Sequence, residues 1–226
     1  LPPLAEAPRR HGRRVLLVDA PGSAQTYIWM GNVGVPRRYP QRAALNIASI
    51  AFGGGFGSML NEQLRTKSGL SYSASAGFNR EEVAGEFAIS TFTRTDSTAR
   101  AVQLALDTLA RLHAEGIGPE RLESARRLLT GQYPLAYQTG ANWAGAFADL
   151  EFYGLPDSYI GGAGSELARV DMGAVQAVIG REFPAAEDLD IVLVGDAARI
   201  RESVAAFGPV TERALSEPGF GSAAAE

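Results

Sequence analysis

The chain has 226 residues, 46% of them hydrophobic and 20% charged, with a net charge of −4 and a pI near 5.4. That balance is too apolar for intrinsic disorder and is long enough to bury a real core. It argues against a nucleic-acid-binding surface, and the lack of cysteine removes disulfides and thiolate chemistry.

Residues 1–12 read as a proline-rich lead-in, and the chain starts at Leu1, so a processed form or a piece of something longer is expected. The basic run Arg9, Arg10, Arg13 and Arg14 reads as solvated charge. "RRVLLVDAPG" predicts a strand stopped at Pro21, and "AQTYIWMGNVGV" predicts a second. Pro40 opens a helix with Ala44, Ile47, Ala48 and Ala51 on one face. The loop "GGGFG" follows, and Ser58 can cap the next helix. Phe56, Leu60 and Leu64 recur at helical spacing there, and Gly69 supplies the stop.

From Leu70 the pattern alternates, with Leu70, Tyr72, Ala74, Ala76 and Phe78 on one strand face. "EEVAGEFAISTFT" is its expected antiparallel partner. Asp96 caps a helix marked by Val102, Ala105, Leu106, Leu109 and Leu112, ending near Gly116. Pro119 opens another, and Ala141 to Gly180 reads as mostly helical. "DLDIVLVGD" is the last clear strand, followed by a short helix through Ala205. The order predicts an α+β domain, a mostly antiparallel sheet with helices packed on one side, over residues 13–210. Residues 211–226 read as a flexible tail. No apolar run approaches the roughly 18 to 20 residues of a membrane helix, and no signal peptide is visible.

Several chemistries are excluded by inspection. "GGGFGS" lacks the lysine of a phosphate loop and follows a helix, so it reads as a helix-to-helix corner, and there is no G-x-S-x-G elbow. The two histidines, His11 and His113, sit in "HGRRV" and "HAEGI", so neither H-E-x-x-H nor H-x-x-E-H is present. A zinc peptidase needs two histidines a turn apart and a glutamate for the bound water, so no metal site is expected in this chain. "DLD" at Asp188 to Asp190 reads as a surface corner. Trp29 and Phe52 read as packing. So do Trp143, Phe147, Phe152 and Tyr153, with a peptide-binding wall as the alternative.

The stretch "AFGGGFGSMLNEQLRTKSGLSYSASAGF" resembles the second, non-catalytic domain of the pitrilysin/insulinase zinc metallopeptidases. In that family a glycine-rich turn enters a helix written roughly S-x-L-x-x-x-L-R-x-x-x-G-L-x-Y. Ser58, Leu60, Leu64, Arg65, Gly69, Leu70 and Tyr72 fall on those positions. The likeness continues more weakly to about residue 205. It implies a clamshell of two such domains, with zinc held by a partner domain or subunit and none here. Arg65 would bind a peptide substrate, and Tyr72 would bind it too and donate to the oxyanion. The chain alone would be inert. A homodimer is possible, no nucleic acid or membrane span is implied, and related bacterial members suggest the periplasm. The alternative is a scaffold or assembly subunit of the same fold with no substrate role. An independent hydrolase has no visible nucleophile and base.

Plainer readings of the pair stand beside that one. Arg65 follows Glu62 by three residues, a common exposed ion pair. Tyr72 shares its strand face with Leu70 and Phe78, which predicts a core-facing ring unless its hydroxyl projects past the sheet edge.

Overall fold

The computed structural model describes residues 7–217. Six strands form one sheet in the order β3-β4-β2-β5-β1-β6. They are β1 (Arg14–Asp19), β2 (Gln25–Val33), β3 (Ala74–Asn79), β4 (Glu86–Arg94), β5 (Asp190–Gly195) and β6 (Val210–Ala214). Three of the five pairings are antiparallel; β1 runs parallel to both β5 and β6. β5 enters the sheet after a long helical connection, as parallel pairing requires.

Period-two burial sets the layers. Thr26, Ile28 and Met30 of β2, Phe87 and Ile89 of β4, and Ile191 and Leu193 of β5 are all buried on one face. Helices α1 (Arg42–Ser49), α3 (Thr98–Glu115), α8 (Met172–Glu182) and α9 (Ala197–Val204) belong to the same hydrophobic core. The expected α3 face, Val102, Ala105, Leu106, Leu109 and Leu112, is buried in full. Phe52, Phe78, Phe87 and Phe183 meet with ring centroids 5.1 to 6.3 Å apart. Burying one such ring contributes about 1.5–3 kcal/mol.

The opposite face is open. Tyr27 and Trp29 are exposed there, and Phe92 lies 5.9 Å from the Tyr27 ring. Trp29 therefore does not pack in the core, while Phe52 does.

Two expectations about extent fail. β6 crosses the boundary expected at residue 210, so the domain continues through Ala214; only residues 215–217 of the expected tail are described beyond it. Arg201 grips Glu212 at 2.6 Å through two hydrogen bonds and ties β6 to α9. The second concerns the helical stretch 42–67, which reaches a mean hydropathy of 1.4 over eighteen residues, enough by composition for a membrane span. It is broken at Gly55, and 56% of that window is buried in the domain itself, which identifies a core segment.

Candidate functional site

The Arg65–Tyr72 segment begins where α1, continued as the π-helical turn Ile50–Gly54, ends at the extended Gly55. The chain next exposes Phe56, and α2 (Met59–Asn61) starts only after Ser58, whose hydroxyl accepts from the Asn61 N–H. Phe56 is therefore out of phase with the buried Leu60 and Leu64 and stands 74% exposed, not on their stripe. A second π-helical turn, Glu62–Lys67, carries Arg65 outward, half-buried. Such turns insert a residue into a helix and recur at functional sites. Gly69, at φ 63°, then reverses the chain in the left-handed region that glycine tolerates.

The strand expected from Leu70 starts at Ala74. Hydroxyls from β4 hold the intervening residues. Thr93 donates to the Leu70 carbonyl at 2.6 Å, and the Thr91 hydroxyl sits 2.9 Å from both the Ser71 hydroxyl and the Ser73 carbonyl. Ser71 is buried by these contacts and Tyr72 is turned out, with 72% exposure. The core-facing reading of Tyr72 is overturned.

The two named residues converge. The Arg65 guanidinium carbon lies 5.0 Å from the Tyr72 ring centroid and 4.2 Å from that of Phe56. Glu62 does not engage Arg65. Its carboxylate accepts from Lys67 at 2.6 Å and from Arg121, and these bonds hold it below the usual carboxyl range. Arg65 therefore makes no salt bridge among the described residues. A guanidinium resting on two aromatic faces keeps its edge donors free for a carboxylate or a peptide carbonyl. The phenol beside it can donate a further hydrogen bond.

Buried Asn61 braces this arrangement. Its carboxamide oxygen accepts from the Ala74 N–H at 2.9 Å, and its nitrogen donates to the Gly55 carbonyl at 3.1 Å. Neither Phe56 nor Asn61 was singled out in the sequence as a site residue. The one hint was an aromatic in the middle of a glycine run.

His11 pairs with Asp188 at 3.1 Å, and His113 Nε2 lies 3.1 Å from the Pro184 carbonyl. No group of three potential ligands converges among the described residues. Asp188 also accepts from the Gly12 N–H, and Asp190 pairs with Arg14, so "DLD" is a structural corner.

Core packing is likewise overturned for most of the helical aromatics. Helix α5 (Gly140–Tyr153), which follows α4 (Pro119–Ala136), exposes Trp143, Phe147 and Phe152. The rings of Tyr133, Tyr137, Trp143 and Phe147 touch in sequence, with centroids 4.9 to 5.6 Å apart; the first two contacts are tilted and Trp143 stacks on Phe147.

Residues 2–129 match the family model described as the peptidase M16 inactive domain. A non-peptidase homologue of Helicobacter pylori, YmxG, is 25% identical over 68% of this chain and 35% of its own length. An uncharacterized zinc protease of Mycobacterium leprae is 25% identical over 63% of this chain and 32% of its own. Among solved structures, the peptidase M16 inactive domain from Pseudomonas fluorescens superposes with a TM-score of 0.79 at 26% identity, covering 86% of this chain and 46% of that one. The chain thus spans about a third of the length of these curated relatives.

Proposed function

This chain belongs to the peptidase M16 inactive-domain family, and from that premise we propose that it is the non-catalytic half of a zinc metalloendopeptidase. It closes a peptide chamber against a zinc-bearing domain or subunit of the same family. The observation that carries this reading is the convergence of Arg65 and Tyr72 on one exposed edge, with Arg65 free of a carboxylate among the described residues.

The activated water would come from a zinc held by the partner. Arg65 holds an extended peptide by its carbonyl or carboxylate through paired donors. Tyr72 donates to the scissile carbonyl oxygen as negative charge develops on it, and such a donor is worth about 3–4 kcal/mol in the transition state. The open aromatic face of the sheet and the exposed Trp143 and Phe147 rings on α5 offer a partner domain surfaces to pack against.

The test is co-assembly with a zinc-bearing chain of the family and assay of peptide cleavage. Tyr72→Phe and Arg65→Ala should each lower the rate by about 10²-fold or more. Wild-type rates from the double variant would defeat both roles. That result would favour the second reading, an assembly subunit without a substrate role, which the likeness to the Helicobacter pylori non-peptidase homologue supports.

A further inference from the structure

The Phe56 ring has a second side. Behind it the chain leaves a hollow of about 500 Å³ between the end of α1 and the first turns of α4. Ile50, Ala51, Phe56, Ala125 and Leu128 supply apolar walls. That volume lies in the range of small-molecule sites, about 300–1,000 Å³. Phe56 and Leu128 are both exposed, so the hollow keeps apolar surface in contact with water.

Charge around the hollow selects its occupant. The Arg121 guanidinium is already committed, donating to the Gly57 carbonyl at 2.8 Å and to Glu62. Glu120 at the rim disfavours an acidic group. A neutral apolar group fits what remains. Phe56 is shared with the Arg65 cluster, so whatever fills the hollow sits one ring away from a chain held at Arg65 and Tyr72.

We propose that this hollow is a subsite for a leucine- or phenylalanine-class side chain of the same extended peptide. The inference rests on the peptide-holding role proposed above and adds a preference to it. Gly55 and Ser124 both line the hollow, one from the loop and one from α4, and allow the subsite to be filled from either element. Gly55 has extended backbone, and a Cβ there would lie 3.6 Å from Leu128 Cδ2, ordinary contact inside the hollow. Ser124 is exposed on α4.

The test uses capped, fluorescein-labelled Ala/Gly heptapeptides that differ only at a central Ala, Leu, Phe or Glu, titrated by anisotropy. Leu and Phe peptides should bind about tenfold or more tighter than the Ala peptide, from the apolar area removed from water. The Glu peptide should bind weakest. Ser124→Trp and Gly55→Val should each abolish the preference and leave Ala-peptide binding unchanged. Arg65→Ala should weaken all peptides alike and keep the preference. Equal binding of all peptides, or a preference that survives both filling variants, overturns the subsite while leaving the Arg65 role standing. A preference lost on filling but indifferent to Arg65→Ala and Tyr72→Phe supports the subsite and defeats the proposed pair. Absence of binding by every peptide defeats both. A concentration-dependent dimer dissolved by Ser124→Trp would assign the hollow to a second copy and overturn the peptide subsite.

Discussion

The Asn61 carboxamide accepts the Ala74 backbone N–H at 2.9 Å while its own nitrogen donates to Gly55. One buried side chain therefore fixes the loop that carries Phe56 against the start of the strand that follows Tyr72. Helix, loop and strand meet at that amide, and the geometry of the exposed cluster is inherited from it.

Removing that amide leaves the buried Ala74 N–H without its partner, a loss of about 1–3 kcal/mol, while the Gly55 carbonyl keeps the Ser58 N–H at 3.0 Å. Asn61→Ala should lower the melting temperature by roughly 2–12 °C for a domain of this size. Asn61→Asp keeps the acceptor but turns an oxygen toward the Gly55 carbonyl, so it should not restore stability. Circular dichroism melts check both. An unchanged melting temperature in Asn61→Ala would remove Asn61 as the brace.

Tyr72→Phe should be silent in stability. The side chain is 72% exposed, and its hydroxyl has no protein partner among the described residues. Exposed substitutions of this kind stay within about 0.5 kcal/mol. A loss of cleavage in the assembled enzyme could then be assigned to the missing donor. Urea unfolding of the two proteins decides it: a shifted midpoint would mean that the hydroxyl has a structural role.

Glu62 gives the neighbouring turn a pH dependence. Hydrogen bonds from Lys67 and then Arg121 hold its carboxyl below the ordinary value of 4.5. A carboxyl depressed on folding stabilises the protein above its unfolded value, and the contribution disappears as pH falls through the folded value. Glu62→Gln should therefore lower the melting temperature at pH 7 by roughly 1–4 °C, the scale of an exposed ion pair. The difference should close as pH falls below 4.5 and through the depressed folded value. A gap that persists in acid would point to packing as the cause.

Much of the fold was legible because burial left a period in the sequence. The α3 stripe from Val102 to Leu112 and the alternation in β4 both follow from a face turned to the core. β6 left no such trace. It is an edge strand reading Val-Thr-Glu-Arg-Ala whose side chains are mostly in solvent, so ladder bonds to β1 and the Arg201–Glu212 pair define it. The site was half legible. Arg65 and Tyr72 could be named from their motif, but the orientation of Tyr72 depends on hydroxyls of Thr91 and Thr93, some twenty residues away. No local period encodes that. Phe56 was misplaced for a related reason, since Ser58 starts the helix too late for its spacing to count.

Glycines show the same division between local pattern and tertiary contact, and they predict opposite signs. Gly53 falls where the sequence suggested ordinary punctuation at a helix end. A Cβ there would meet the Ala76 nitrogen at 2.4 Å and the Ala76 Cβ at 2.6 Å, so the π-helical continuation of α1 and β3 approach as closely as they do only because this position has no side chain. Gly180, on the exposed side of α8, has nothing within 4 Å of such a Cβ. Alanine in place of a helical glycine gains about 0.8–1 kcal/mol of propensity wherever space allows. Gly180→Ala should therefore stabilise the domain by roughly that amount. Gly53→Ala must displace the backbone of β3, at about 1–3 kcal/mol or more for overpacking, which outweighs the same gain and should also disturb the strand that follows Tyr72. Chemical denaturation of the two variants should move the midpoint in opposite directions. If Gly53→Ala also stabilises, the close packing of that π-helical turn on β3 is not what fixes glycine at that position.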